Sequence, residues 1–235
     1  MPGTTTYLAA APERIKFAPA TRIQESLVAS PEKRILIFLA QHTPVWINSD
    51  HLTLLGFVSQ CLAGACYFLA RLNPDALLLG IVCLALNWLG DSLDGTLARV
   101  RNRQRPRYGF YVDHITDTIS AFFLMGGLAL SGYVHPGIAF GMLVAFLMLS
   151  IEAYLATYTL GRFQLSYWKF GPTEIRILLA IGNLALLRHP LIRFLGKPVL
   201  LFDLGGVIAI AGMAIMLIIS AVKHTAQLYK EERLA

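Results

Sequence analysis

Asp91, Asp94, Asp113 and Asp117 lie within "DSLDGTLARVRNRQRPRYGFYVDHITDT", a polar stretch set between the apolar runs "LLLGIVCLALNWLG" and "ISAFFLMGGLALSG". Asp91 and Asp94 are three residues apart, and Asp113 and Asp117 four apart. At about 100° per residue, each pair falls on one face of a helix. Carboxylates at the edge of apolar segments repel one another and are poorly solvated, so they need a partner. Hard divalent cations suit them, because such ions prefer oxygen ligands and accept several carboxylates. Two cations about 4 Å apart could bridge the set and clamp a diphosphate.

The neighbouring residues fit a crowded, anion-binding site. Gly95 follows Asp94, Ala98 lies near one turn further on, and Gly109 is one turn before Asp113. Small residues beside the acids let another helix or a ligand approach the backbone. Taken singly, Gly95, Ala98 and Gly109 also read as ordinary helix-packing residues. Arg99 and the loop "RNRQRPR" place positive charge beside a phosphate, although an arginine run alone reads as a solvated loop that fixes topology.

These residues need helices to position them. The chain has 235 residues, 56% hydrophobic and only 14% charged, whereas a soluble domain carries about a quarter charged residues. The fold class is therefore all-α: a polytopic membrane protein with six transmembrane helices and an N-terminal interfacial helix. The predicted spans are 52–71, 76–99, 109–131, 134–160, 173–188 and 200–222, the fifth being short for the roughly 20 residues a crossing needs. Residues 1–50 form an N-terminal segment, and 51–235 the six-helix membrane domain. Residues 1–30 are mixed and predict a loose or partly helical start without a signal-peptide pattern. "PEKRILIFLAQHTPVW" (31–46) has an apolar block too short to span and predicts an amphipathic helix on the cytoplasmic surface. Cys61, Cys66 and Cys83 fit no metal spacing and read as packing residues.

Charge orients the spans. With the N-terminus inside, sixteen of the 20 lysines and arginines are cytoplasmic, leaving Arg71, Arg188, Arg193 and Lys197 outside. This bias predicts an integral membrane protein (of the cytoplasmic membrane, if bacterial) with both termini cytoplasmic. The net charge of +6 points to anionic lipid headgroups, not nucleic acid.

"DSLDGTLAR", nine residues, then "GFYVDHITD" resembles the signature of the CDP-alcohol phosphotransferase (CDP-alcohol phosphatidyltransferase) family, D-x2-D-G-x2-A-R, eight or nine residues, G-x3-D-x3-D. All eight signature positions are present: Asp91, Asp94, Gly95, Ala98, Arg99, Gly109, Asp113 and Asp117. The resemblance implies a cytoplasm-facing polar cavity, divalent metal (Mg2+ or Mn2+, two ions), and homodimers. It also implies transfer of a substituted phosphate group from a CDP-alcohol donor to a lipid or small-alcohol hydroxyl, with release of CMP, in phospholipid biosynthesis. Asp91, Asp94 and Asp113 would hold metal. Asp117 would be the base and share in metal binding, with His114 as its alternative or support. Gly95, Ala98, Arg99 and Gly109 would line the nucleotide site.

The "DHxxD" in "FYVDHITD" and the segment "GPTEIR" (171–176) after "IEAYLATYTLG" are similar to the choline/ethanolamine branch. That branch implies a CDP-amino alcohol donor and a diacylglycerol-like acceptor, with Glu152 and Glu174 receiving the headgroup cation or orienting polar groups. Both glutamates also have ordinary readings: an interhelical contact for Glu152 and a favourable helix N-terminus for Glu174. Within the family the alternative is a CDP-diacylglycerol donor and a small polyol or polyol phosphate acceptor. Outside it, a membrane cation transporter would explain the aspartates but not the ordered Gly, Ala and Arg, and the halves show no repeated broken helices. A membrane scaffold that merely retains a metal site is a third reading. His42, His51, His135, His189 and His224 are dispersed and read as loop or interface residues.

Overall fold

The computed structural model describes residues 21–23, 26, 28–164 and 171–233. Seven helices carry the described chain: α1 (Ala29–His42), α2 (Ser49–Ala70), α3 (Ala76–Val100), α4 (Pro106–Leu130), α5 (Pro136–Leu160), α6 (Pro172–Arg188) and α7 (Leu201–Glu231). Two short strand pairs accompany them. β1 (Thr21–Ile23) runs parallel to β2 (Arg162–Gln164), and β3 (Leu191–Phe194) forms a hairpin with β4 (Lys197–Leu200). Leu195 and Gly196 both have positive φ, the turn that matches the twist of a two-residue hairpin loop. The expectation of a loose or helical start is corrected at 21–23, where a strand forms; residues 1–20 lie outside the described residues.

Helix ends follow local chemistry. Asn48 Oδ1 accepts from the His51 amide at 3.1 Å, and His51 Nδ1 from the Asn48 amide at 3.3 Å, closing a box at the start of α2. α4, α5 and α6 each open on proline, whose missing N–H costs nothing in a first turn. α5 ends at Gly161, which adopts the left-handed conformation.

Four helices, α2, α3, α5 and α7, are long and apolar enough to cross a bilayer. The expectation of six spans is thus met in part. α4 is long enough, but Asp113, His114 and Asp117 lower the apolarity of its first half, and α6 has only 17 residues. α7 continues to Glu231, nine residues past the predicted end, because no helix breaker follows its apolar stretch. At 1.5 Å per residue it is roughly 45 Å long, more than the hydrocarbon thickness of about 30 Å.

Close backbone approach fixes the centre of the bundle. A Cβ on Gly90 would lie 2.5 Å from both Gly56 N and Leu52 O, so α2 and α3 cross with their backbones in contact. Gly64 and Gly127 play the same part between α2 and α4. One apolar cluster joins α2, α3, α4, α5 and α6 around Tyr67, Leu77, Leu84, Leu124 and Leu186. A second holds α1 on α2 and α3 through Leu36, Ala40, Leu52, Leu93 and Leu97. The outer faces expose Leu54, Leu79, Phe122, Ile208 and Val222, as expected of helices whose solvent is lipid.

Candidate active site

The α2–α3 crossing places polar groups of both helices beside the aspartates. Asn87, Asp91 and Asp94 follow one another along α3 at spacings of four and three, so they share a face. Asn87 donates to Gly56 O at 2.9 Å, which the glycine contact makes reachable. Thr53 on α2 donates to Asp94 Oδ2 at 2.6 Å, and Ser49 to the Asp94 carbonyl at 2.8 Å. On α6, Arg176 Nη2 meets Asp91 Oδ2 at 2.6 Å and Arg176 Nε donates to Asn87 Oδ1 at 2.7 Å. Arg176 Nη1 is buried with no hydrogen-bond partner among the described residues.

α4 supplies the facing wall. Oxygens of Asp113 and Asp117 and a ring nitrogen of His114 lie within 4.8 Å of one another, a group compact enough to hold a metal ion. A small pocket between the helices is lined by Thr53, Gly56, Asn87, Asp91, Asp113 and Asp117, together with Phe57 and Thr116. Three of the four predicted aspartates therefore border one space, and Asp94 is tied to it through Thr53. The donor set is mainly carboxylate oxygen, which fits a hard divalent cation.

His114 has different surroundings. Its ring stacks on Tyr154 at 4.9 Å between centroids and meets Phe110 and Phe163 at 4.2 and 4.9 Å. Its Nδ1 stands 3.7 Å from Asp113 Oδ2. The aromatic rings hold the imidazole beside the Asp113 carboxylate.

The remaining sequence-derived residues divide. A Cβ on Gly95 would meet only the Arg99 side chain, at 3.4 Å, and one on Gly109 would meet nothing within 4 Å. The reading of these glycines as helix-packing residues is corrected: Gly56, Gly90, Gly64 and Gly127 do that work, and Gly95 and Gly109 leave open backbone. Ala98 is half-buried, and its carbonyl accepts from the Arg103 amide at 2.9 Å. Arg99 donates to Thr96 Oγ1 at 2.9 Å. Of the loop arginines, Arg101 clasps the carbonyls of Thr43, Pro44 and Ile47, and Arg105 pairs with Asp50.

Both glutamates are engaged away from the pocket. Glu152 on α5 pairs with His224 Nδ1 on α7 at 2.6 Å. Glu174 accepts from the Gly171 amide at 2.9 Å and the Val28 amide at 3.0 Å. The residues that sequence reasoning missed are Thr53, Asn87 and Arg176. Arg176 had a signal, a cation at the start of a short apolar helix, but it counted there toward topology and as the last residue of "GPTEIR", with no role at the site. Asn87, one turn ahead of Asp91, was a second.

A family model described as CDP-alcohol phosphatidyltransferase matches residues 46–222. The chain belongs to the CDP-alcohol phosphatidyltransferase family. The matched region contains every residue lining the pocket, while α1 lies ahead of it. The chain is also similar to an archaetidylinositol phosphate synthase from Pyrococcus horikoshii, 32% identical over 123 residues. That match spans 52% of this chain and 61% of the archaeal protein's length. This CDP-alcohol phosphatidyltransferase family member is an integral membrane protein by its four spanning helices.

Proposed function

We propose that the protein transfers a phosphatidyl-type group from a CDP-activated lipid to a hydroxyl of a small polyol or polyol phosphate, releasing CMP. The observation that carries this reading is Arg176. Asn87 and Asp91 fix its guanidinium at the pocket while its buried Nη1 lacks a partner among the described residues. A buried cationic donor of this kind favours an anionic oxygen such as a phosphate. The choline/ethanolamine reading needs carboxylates free to receive a cationic headgroup. Glu174 is instead held by backbone amides, and Glu152, whose Oε1 meets His224 while its Oε2 is buried without a hydrogen-bond partner among the described residues, does not line the pocket. The archaeal relative, by its name, makes a lipid inositol phosphate, which agrees with a phosphorylated polyol on the acceptor side.

In this reading Asp91, Asp94, Asp113 and Asp117 hold Mg2+ or Mn2+. Such ions supply charge neutralisation for the donor's diphosphate. Arg176 receives the acceptor's phosphate and thereby orients its hydroxyl. Asp117 takes the hydroxyl proton. The acceptor oxygen forms a bond to the phosphorus that carries the lipid, and that phosphorus loses its bond to the CMP oxygen. His114 keeps Asp113 oriented. Gly95 and Gly109 leave backbone open to the nucleotide. We also place α4 and α6 as the remaining two spans of a six-helix unit. α1 lies on the cytoplasmic surface, with its Ile35 and Phe38, and Val45 and Trp46 of the connection to α2, exposed toward the headgroups.

Purified protein in liposomes tests the reading. One arm contains CDP-diacylglycerol with inositol phosphate, glycerol phosphate or unphosphorylated inositol. The other contains CDP-choline or CDP-ethanolamine with diacylglycerol. CMP release in the first arm, greatest with a phosphorylated acceptor, is expected. Release confined to the second arm overturns the proposal.

A further inference from the structure

We propose that Glu32, on α1 and ahead of the family region, is a positioning residue that sets the axial register of α6 on α3 and so seats Arg176 against Asp91. Glu32 is only 6% exposed. Its Oε1 accepts from Trp88 Nε1 at 2.7 Å, Ser92 Oγ at 3.2 Å and Thr173 Oγ1 at 2.7 Å. One carboxylate oxygen thus joins three helices. Its Oε2 is buried with no hydrogen-bond partner among the described residues. A carboxylate held in this way costs stability, and an apolar side chain would fill the space at lower cost. Its contribution is geometric.

The geometry is specific. Trp88 and Ser92 are one turn apart on α3, and each directly follows a residue that binds Arg176: Asn87 and Asp91. On α6, Thr173 and Arg176 are three residues apart, one turn of the same helix. Two parallel locks therefore join the same stretches of α3 and α6, one through Glu32 and one through Arg176. A second tie runs from the start of α1 to the same turn of α6, where Glu174 accepts from the Val28 amide at 3.0 Å. The same face of α1, one and two turns further on, is bolted to α3 by Leu36 and Ala40 against Leu93 and Leu97. A slide of α6 by one residue is a shift of about 1.5 Å. That is enough to move Arg176 off Asp91 and to misplace a bound acceptor.

The link from Glu32 to acceptor binding rests on the function proposed above; the link from Glu32 to helix register does not. The full-length protein in liposomes, with its three cysteines replaced, carries spin labels at positions 100 and 177, near the end of α3 and on α6. A single narrow inter-label distance is expected for the parent and for Glu32→Gln, which keeps the accepting oxygen. A broadened or shifted distance is expected for Glu32→Ala. Thr173→Val removes one arm only and serves if Glu32→Ala does not fold. In CMP-release assays of the same variants, the acceptor KM should rise roughly tenfold with kcat nearly unchanged, as for lost positioning of a ground-state partner. Combining Thr173→Val with Glu32→Ala should add little further loss, since both remove one interaction. An unchanged distance in Glu32→Ala and Thr173→Val overturns the clamp. A changed distance with unchanged acceptor KM overturns its role at the site. Absence of CMP release from the parent with every acceptor refutes the functional reading, and the distance measurement still decides the clamp.

Discussion

Arg176 on α6 grips Asp91 on α3 at 2.6 Å, across 85 positions of sequence. The pair joins α6 to α3 beside the pocket that α2, α3 and α4 line, so one cation stands at the edge of a carboxylate pocket. Arg176→Ala should lower kcat/KM for a phosphorylated polyol by about 100-fold, the scale of one lost charge-assisted contact. The loss should be smaller for the unphosphorylated polyol. Equal loss with both acceptors would falsify the assignment of the phosphate to this side chain.

Asp113 and Asp117 share one face of α4 and, with His114, place ligand atoms within 4.8 Å. Asp117→Asn is expected to lose at least ~100-fold in turnover, a typical general-base contribution, while still binding a CDP-lipid. His114→Ala should lose less, because its ring is packed among Phe110, Tyr154 and Phe163. Single-turnover kinetics separates binding from chemistry. A larger loss in His114→Ala than in Asp117→Asn would reverse the roles.

Metal dependence follows from the donor set. CMP release should vanish in excess chelator and return with Mg2+ or Mn2+, and Asp91→Asn, Asp94→Asn and Asp113→Asn should not be rescued. Full turnover in chelator would exclude the carboxylate-held cations.

The glycine crossings give a prediction about stability alone. A Cβ on Gly127 would collide with the Gly64 backbone, whereas one on Gly109 would meet nothing. Gly127→Ala should destabilise the protein by roughly 1–3 kcal/mol, as overpacking does. Gly109→Ala should leave the melting temperature in detergent near that of the parent. A similar melting temperature for both variants would show that α2 and α4 tolerate separation.

Topology is open to labelling. In a cysteine-free background, a cysteine at position 103 should resist an impermeant reagent in intact cells and react after lysis. One at position 195, in the β3–β4 turn, should react from outside. The opposite pattern would reverse the orientation drawn from loop charge.

The sequence by itself determined which carboxylates pair, because three- and four-residue spacing on a helix is a local property. It also determined the helical membrane class and the family signature, which are matters of composition and order. It could not determine the number of apolar spans from hydrophobic runs alone, since α4 mixes its acids with its apolar face and α6 is short. What only the tertiary structure decided is the partner of each charge. Glu152 Oε1 meets His224, 72 positions away, Glu174 accepts from amides before α1 and at its own helix start, and Asp91 pairs with Arg176. It likewise decided which glycines touch: Gly56 with Gly90 and Gly64 with Gly127, and neither Gly95 nor Gly109. The physical reason is the same in each case. Helix periodicity states which residues share a face, but the packing of faces against one another is non-local, and a charge or a glycine acquires its role only from what is set opposite it.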